Sequence, residues 1–233
     1  MQNNRNIFFK TFRDGNLSLY NSIIKTPAFL ELEHYFPQYK LLEENFEDIK
    51  KEIINVINSG KKLPKFHEVD DGQTYISDND GLDWNLLNLL VYSMWHKKNC
   101  ELCPKTTHLL KKMKNVKSAY FSILSPGKHI PPHKGPYKGI IRYQLPISVP
   151  KNGVCKIIVD SKDHVWKEGE SVLFDDTFTH EVVNETKEYR IALLLDVKRS
   201  VPGFFMKIYD TIVFRLIQFL VVLNNTFGKS KIN

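Results

Sequence analysis

Three cysteines, Cys100, Cys103 and Cys155, are too few, and odd in number, to build a disulfide framework. The chain also has no block of five or six basic residues. Lys and Arg outnumber Asp and Glu by 33 to 26, a formal charge of +7, but the cations are scattered. No nucleic-acid motif accompanies them, so nucleic acid is not an expected partner. The charge favours small carboxylates and phosphorylated lipids instead. The opening Met1-Gln-Asn-Asn-Arg-Asn leads into no apolar core of the signal-peptide kind, so a reducing, cytoplasmic setting is expected. Internal repeats and low-complexity tracts are absent as well.

What the chain does have is an ordinary apolar fraction, 42%, and 12% aromatics, enough for a packed core. Residues 1–35 read as an N-terminal extension in which Phe8, Phe9 and Phe12 are available for packing. Residues 36–117 read as a helical support region. Leu42, Phe46, Ile49, Ile53 and Ile57 keep spacings of three and four, which predicts a helix closed by Ser59-Gly60. Lys61 to Gly81 reads as a loop with a short strand. Trp84 to Trp95 is apolar nearly all round and predicts a buried helix. Pro104 to Met113 predicts another helix, with proline at a tolerated early position.

From Ser118 the texture changes. Short β-rich runs recur at Ala119–Leu124, Ile140–Val149, Val154–Asp160, Ser171–Phe174, His180–Val183 and Tyr189–Val197, with turn residues such as Asn152-Gly153 between them. That pattern indicates a β-barrel or jelly roll over 118–199. Residues 200–233 form an apolar tail. In it, Lys207, Asp210, Thr211, Gln218 and Asn225 fall together on a helical wheel, and Arg215 adds a further charge. A simple membrane span is thereby disfavoured. Two readings of 204–223 stand: a helix covering one face of the barrel, or a helix lying in a membrane interface.

Two histidines have distinctive settings. His133 follows Ile130-Pro-Pro and precedes Lys-Gly-Pro; His180 sits where one short strand leads into the next. Imidazole binds Fe, Zn, Cu or Ni. In the two-histidine, one-carboxylate iron site the carboxylate commonly lies two residues after the first histidine, where this chain has Gly135. The third ligand then comes from elsewhere or is water, with Asp175 and Asp176 nearest to His180. Arg190 lies on an apolar strand and needs an anion if it points inward. Spacing leaves open a dicarboxylate ligand or a salt bridge to Asp196 or Glu181. A single Cys100-Glu-Leu-Cys103 is a weak zinc signal, and these cysteines, like His108 and His129, read as structural.

The ordered set Phe121-Ser122-Ile-Leu-Ser-Pro-Gly-Lys-His-Ile-Pro-Pro-His133-Lys-Gly-Pro, Arg142-Tyr-Gln-Leu, Glu168-Gly-Glu-Ser-Val-Leu-Phe-Asp-Asp176-Thr-Phe-Thr-His180-Glu-Val and Arg190 with Asp196-Val resembles the aspartyl/asparaginyl β-hydroxylase family of iron(II)- and 2-oxoglutarate-dependent oxygenases. The family also contains lipid hydroxylases acting on lipid A or ornithine lipids. The resemblance implies an α+β, mainly β fold: a double-stranded β-helix (jelly-roll, cupin-like) core with N-terminal helices and a C-terminal helix. It implies Fe(II) ligation by His133 and His180, without the usual carboxylate. Asp176 matches an acid beside the metal-bound water. Ser122 and Arg190 match the pair holding the distal carboxylate of 2-oxoglutarate, and Arg142 matches an arginine facing the active centre. Two positions depart from the family: Gln144 replaces a histidine that helps bind the cosubstrate, and Ile140 replaces an arginine of the protein-modifying members. The implied reaction is hydroxylation of a C–H bond with dioxygen, on a protein Asp or Asn side chain or on a membrane-lipid acyl chain. The lipid reading brings membrane association with it. A non-catalytic metal- or ligand-binding jelly roll is the reading from outside the enzyme class.

Overall fold

Period-two alternation carries the second half of the chain. The computed structural model describes residues 2–224 and 229–230, and only the backbone of residues 2–10, 12 and 71. The side chains of Phe8, Phe9 and Phe12, and all of Asn225, lie outside the described residues. The strands are β1 (Trp84–Val91), β2 (Met94–Trp95), β3 (Val116–Leu124), β4 (His129–His133), β5 (Ile140–Ser148), β6 (Cys155–Val159), β7 (Lys162–Val165), β8 (Val172–Phe174), β9 (His180–Asn184) and β10 (Arg190–Lys198). They form a six-stranded sheet, β2-β1-β3-β10-β5-β8, and a four-stranded sheet, β4-β9-β6-β7. The strand pairs are antiparallel. The sheets face each other across one apolar layer. Leu86, Tyr120, Ala192 and Leu194 of the large sheet pack there with Ile130, Ile157 and Val182 of the small one. This is the expected jelly roll.

Helices surround the sandwich. They are α1 (Gln2–Ile23), α2 (Leu32–Tyr35), α3 (Tyr39–Glu44), α4 (Phe46–Asn58), α5 (Phe66–Val69), α6 (Thr74–Ser77), α7 (Lys97–Leu102) and α8 (Pro104–Lys111), with α9 (Phe204–Leu223) at the C-terminal side. Of these, α2, α3, α4, α7 and α8 lie on the outer face of the large sheet, α5 and α6 at the edge of the inner layer, and α1 against α9. Ile49 and Ile53 of α4 and Leu109 and Leu110 of α8 share a core with Leu87, Phe121, Leu145 and Leu193. The helix expected over 42–57 is two helices. Asn45 interrupts it, its amide donating to the Leu41 carbonyl at 2.8 Å. Gly60, at φ 71°, supplies the left-handed residue after α4.

Three expectations are corrected. Residues 84–95 are not a helix but β1 and β2, with Trp84 opposite Leu124 and Leu90 opposite Ala119. A strand covered on both faces is apolar at every position, and so is a buried helix; periodicity does not separate them. The sheet therefore begins at Trp84 rather than at Ser118, and 36–117 is not wholly helical. Residues 61–81 hold α5, α6 and a 3-10 turn, with one bridge between Lys65 and Asn85 in place of a short strand. β4 had no expectation as a strand because it contains Pro131 and Pro132.

α9 forms over the expected residues, and it does cover one side of the fold. Asp210 is not on a solvated stripe: it is buried, and Tyr20 and Tyr137 donate to its Oδ1 at 2.7 and 2.5 Å. Lys198 at the end of β10 completes the cluster by an ion pair with Asp210. Gly139 is required beside it, because a Cβ there would lie 2.2 Å from the Tyr137 hydroxyl and 2.3 Å from Asp210 Oδ1. The cluster fixes α9 to α1, to the 134–139 loop and to the main sheet.

A second buried tie lies at Asp175, whose carboxylate meets Lys138 at 3.0 Å and Arg199 at 2.6 Å. Burial alone would raise its pKa, but Arg199, Thr177 and Lys138 overcome that and hold it below the usual carboxylate value. A depressed folded-state pKa contributes stability above the unfolded value, near ~3.9, and loses it as pH falls through the folded value. Asp175→Asn should therefore destabilise the protein at pH 7 by about 3–5 kcal/mol, because two buried cations lose their carboxylate. In chemical denaturation the gap from the wild type should narrow below about pH 4. A gap that does not change with pH would contradict this.

Candidate active site

β4 reaches the site through an irregularity. Ile130 pairs with Val182 and His133 with His180, so three steps on β4 match two on β9. One extra residue at Pro131-Pro132 makes a bulge, where proline's missing donor is tolerated. The extra residue restores His133 to the inward face that Ile130 occupies, whereas strict alternation would point it away. His180 is on that face by simple alternation with Val182.

The two imidazoles lie side by side, ring centroids 4.1 Å apart. His133 Nδ1 is 2.8 Å from the Pro131 carbonyl and His180 Nδ1 is 3.0 Å from the Phe178 carbonyl. A carbonyl only accepts, so each Nδ1 carries the hydrogen and each Nε2 keeps a lone pair. Burial lowers the pKa of His133; burial and then the neighbouring His133 push His180 down to about 3. Both rings are thus neutral at pH 7, the state that ligates metals.

Asp176 fills the space over Gly135. A Cβ on Gly135 would sit 2.5 Å from the Asp176 carboxylate, and the Gly135 amide donates to the Asp176 carbonyl at 2.7 Å. Arg142 Nη2 holds Asp176 Oδ2 at 3.2 Å, while Oδ1 is buried with no hydrogen-bond partner among the described residues. Burial raises this carboxyl to about 7, against the pull of Arg142. Arg142 also donates to the Tyr120 hydroxyl at 2.9 Å and pairs with Asp196 at 2.9 Å.

Register places the remaining residues on the same inner face. Asp196 is opposite Arg142 and Leu194 is opposite Gln144; across β3, Leu194 is opposite Tyr120, Ala192 opposite Ser122 and Arg190 opposite Leu124. Arg190 is 1% exposed. Its Nη2 donates to Gln144 Oε1 at 2.7 Å, its guanidinium carbon lies 3.9 Å over the Trp166 ring, and its Nε has no hydrogen-bond partner among the described residues. Burial pulls its pKa down to about 10. The salt-bridge alternative fails, because Asp196 pairs with Arg142 and Glu181 with His129. Ser122 is buried and its Oγ accepts from Trp84 Nε1 at 2.9 Å.

All seven expected site residues therefore face one interior, with three direct pairs: His133 with His180, Arg142 with Asp176, and Arg190 with Gln144. Among the described residues, no group of three His, Cys, Asp or Glu side chains is placed to hold a metal ion. Cys100 and Cys103 are free thiols whose pKa burial raises, in keeping with structural roles. His129 lies on Glu181. Sequence reasoning missed Tyr120, Trp84 and Trp166. Tyr120 was within reach, two residues from Ser122 on a strand; Trp166 lies past the end of β7 and carries no local signal.

Comparison with known proteins adds four findings. The family model described as aspartyl/asparaginyl beta-hydroxylase matches residues 43–200. An ornithine lipid ester-linked acyl 2-hydroxylase of Rhizobium tropici is 33% identical over 162 residues, 69% of this chain and 57% of that protein. The aspartyl/asparaginyl beta-hydroxylase of Mus musculus is 30% identical over 187 residues, 72% of this chain but only 24% of that protein. The chain thus spans about half of the first relative and about a quarter of the second. Among solved structures, a cupin domain of a transcriptional regulator from Enterobacter cloacae is similar over 50% of this chain and 98% of that one, at 14% identity and a TM-score of 0.36.

Gly135→Ala should cost about 1–3 kcal/mol by overpacking against Asp176. In a double-mutant cycle with Asp176→Ala the two losses should be less than additive, since the second change makes room for the first. Simple additivity in urea denaturation would remove Asp176 as the reason for the glycine.

Proposed function

The chain belongs to the aspartyl/asparaginyl β-hydroxylase family, and from that premise we propose that it is an iron(II)- and 2-oxoglutarate-dependent dioxygenase that hydroxylates a C–H bond. The observation that carries the reading is Arg190: a guanidinium buried in the sandwich, with no carboxylate partner among the described residues. A buried cation left unpaired is costly, so the site favours an anionic ligand. A carboxylate suits the flat guanidinium.

The donor set also fits iron. His133 and His180 would hold it through Nε2, and the carbonyls of Pro131 and Phe178 fix both rings in the required tautomer. When bound, iron(II) with 2-oxoglutarate and dioxygen supplies an oxidant strong enough to attack C–H bonds, with succinate as coproduct. Arg190 and Ser122 take the distal carboxylate of 2-oxoglutarate. Trp166 keeps the guanidinium flat against its ring, and Gln144 accepts one of its hydrogens. Arg142 holds Asp176 against Gly135, where the acid orients water beside the imidazoles.

For the substrate, this chain's own surface favours a membrane-lipid acyl chain, the substrate kind in the name of the Rhizobium relative. Ile140, where protein-modifying members carry arginine, is buried among Tyr20, Met206 and Val213, and the cation opposite it, Lys198, is paired with Asp210, so position 140 offers no free cation to a peptide carboxylate. A protein Asp or Asn side chain is the second reading, on the name of the mouse relative.

Incubation with iron, 2-oxoglutarate and air should yield succinate and a gain of one oxygen in lipid extracts, read by mass spectrometry. Chelation of the metal, His133→Ala or His180→Ala should bring succinate to background; full activity in both variants would refute the assignment. Arg190→Met should raise KM for 2-oxoglutarate roughly 10- to 100-fold, from the ~1.5–3 kcal/mol of a charge-assisted hydrogen bond. Iron and 2-oxoglutarate binding without succinate on any substrate would favour a non-catalytic binding protein.

A further inference from the structure

α9 has two apolar faces, and the fold buries only one. Met206, Asp210 and Val213 are buried. On the other side Phe204, Phe205, Ile208, Ile212, Phe219 and Leu223 are between 45% and 84% exposed. Ile208, Ile212, Phe219 and Leu223 recur at helical spacing and form one stripe. Single exposed apolar residues are ordinary, whereas a continuous patch marks a binding surface. Leu19 and Ile23 of α1 are exposed as well. α1 is tied to α9 by the Tyr209 hydroxyl on Asn16 Oδ1, at 2.9 Å, and by Tyr20 on Asp210.

Charge decides what covers this face. Asp210, the one acid in α9, is buried, so the exposed charges of the helix are Lys207 and Arg215. Along α1 runs a pocket lined by Arg13, Asp14, Leu17, Lys25, Lys134 and Thr177; Arg13 and Asp14 pair at 2.8 Å, so its net positive charge comes from Lys25 and Lys134. Lys25 and Lys134 are exposed, and Lys134 and Thr177 directly follow His133 and Asp176. An apolar stripe on a helix whose exposed charges are both cations complements an anionic lipid surface, into which apolar side chains sink while Lys and Arg meet headgroups. A protein partner would call for a mixed polar rim. No described helix is long and apolar enough to cross a membrane, so the contact is with the interface.

We propose that the exposed face of α9 docks this protein on an anionic lipid bilayer, with Lys207 and Arg215 at the headgroups. The inference deepens the lipid reading of the substrate by naming the phase that delivers it. Its test reads binding, not turnover, so it succeeds or fails separately from the hydroxylase assignment.

The full chain is floated with vesicles of phosphatidylcholine alone or mixed with phosphatidylglycerol. Binding should appear on the anionic vesicles and weaken with salt. Phe205→Ser/Ile212→Ser should lose about tenfold or more of it. Lys207→Gln/Arg215→Gln should lose roughly 25-fold, about fivefold per charge, on anionic vesicles only. All four positions are exposed, and unchanged circular dichroism and thermal midpoint would show that the variants fold. No binding to anionic vesicles by the wild type overturns the proposal. So does a wild-type dimer, by light scattering, that Phe205→Ser/Ile212→Ser converts to monomer, since a second copy would then be the occupant.

Discussion

Burying a guanidinium without a carboxylate costs several kcal/mol, and the sandwich holds Arg190 in that condition. Trp166 offers a ring face and Gln144 a neutral oxygen, which steady the group without cancelling its charge. The surrounding architecture makes this tolerable. β10 runs through the middle of the six-stranded sheet, and its outward residues are locked into the helical layer while its inward ones face the small sheet. Stability is thus invested in the scaffold, and the inner face keeps unsatisfied polar groups such as Arg190 Nε and Asp176 Oδ1. Such exceptions to local satisfaction are expected where a ligand belongs.

The imidazole pair depends on the same economy of geometry. One bulge at consecutive prolines turns His133 inward, and two backbone carbonyls set both tautomers. Gly135 allows the Asp176 carboxylate to occupy the space a ligand side chain would fill. Arg142 then divides its guanidinium between Asp176, Asp196 and Tyr120, so the acid is restrained but not neutralised.

Much of this was legible in the chain itself. Alternating strands such as β6, with Cys155, Ile157 and Val159 inward, announce a two-sheet fold. The motifs around His133, Asp176, His180 and Arg190 were legible through their resemblance to a family, while spacing alone left Arg190 open between a ligand and a salt bridge. The failures have physical causes. β1 is buried on both faces, so its pattern is that of a buried helix, and its turn uses Tyr92 and Ser93 at positive φ instead of a recognisable Asn-Gly. β4 hides behind its prolines because the bulge is a tertiary feature. Trp166 becomes part of the site only through β7, whose lone exposed run gives little periodic signal. Asp210 could be placed only on a polar stripe of the helical wheel, because its partners, Tyr20 and Tyr137, come from distant parts of the chain.

In the proposed reaction the two imidazoles hold a metal within reach of a dicarboxylate anchored by Arg190. The most direct test is visible absorption under argon of the protein loaded with iron(II), before and after adding 2-oxoglutarate. A metal-to-ligand charge-transfer band should appear on addition in the wild type and be absent in His180→Ala. A wild-type protein that retains no iron, or gives no band at saturating 2-oxoglutarate, would contradict the account.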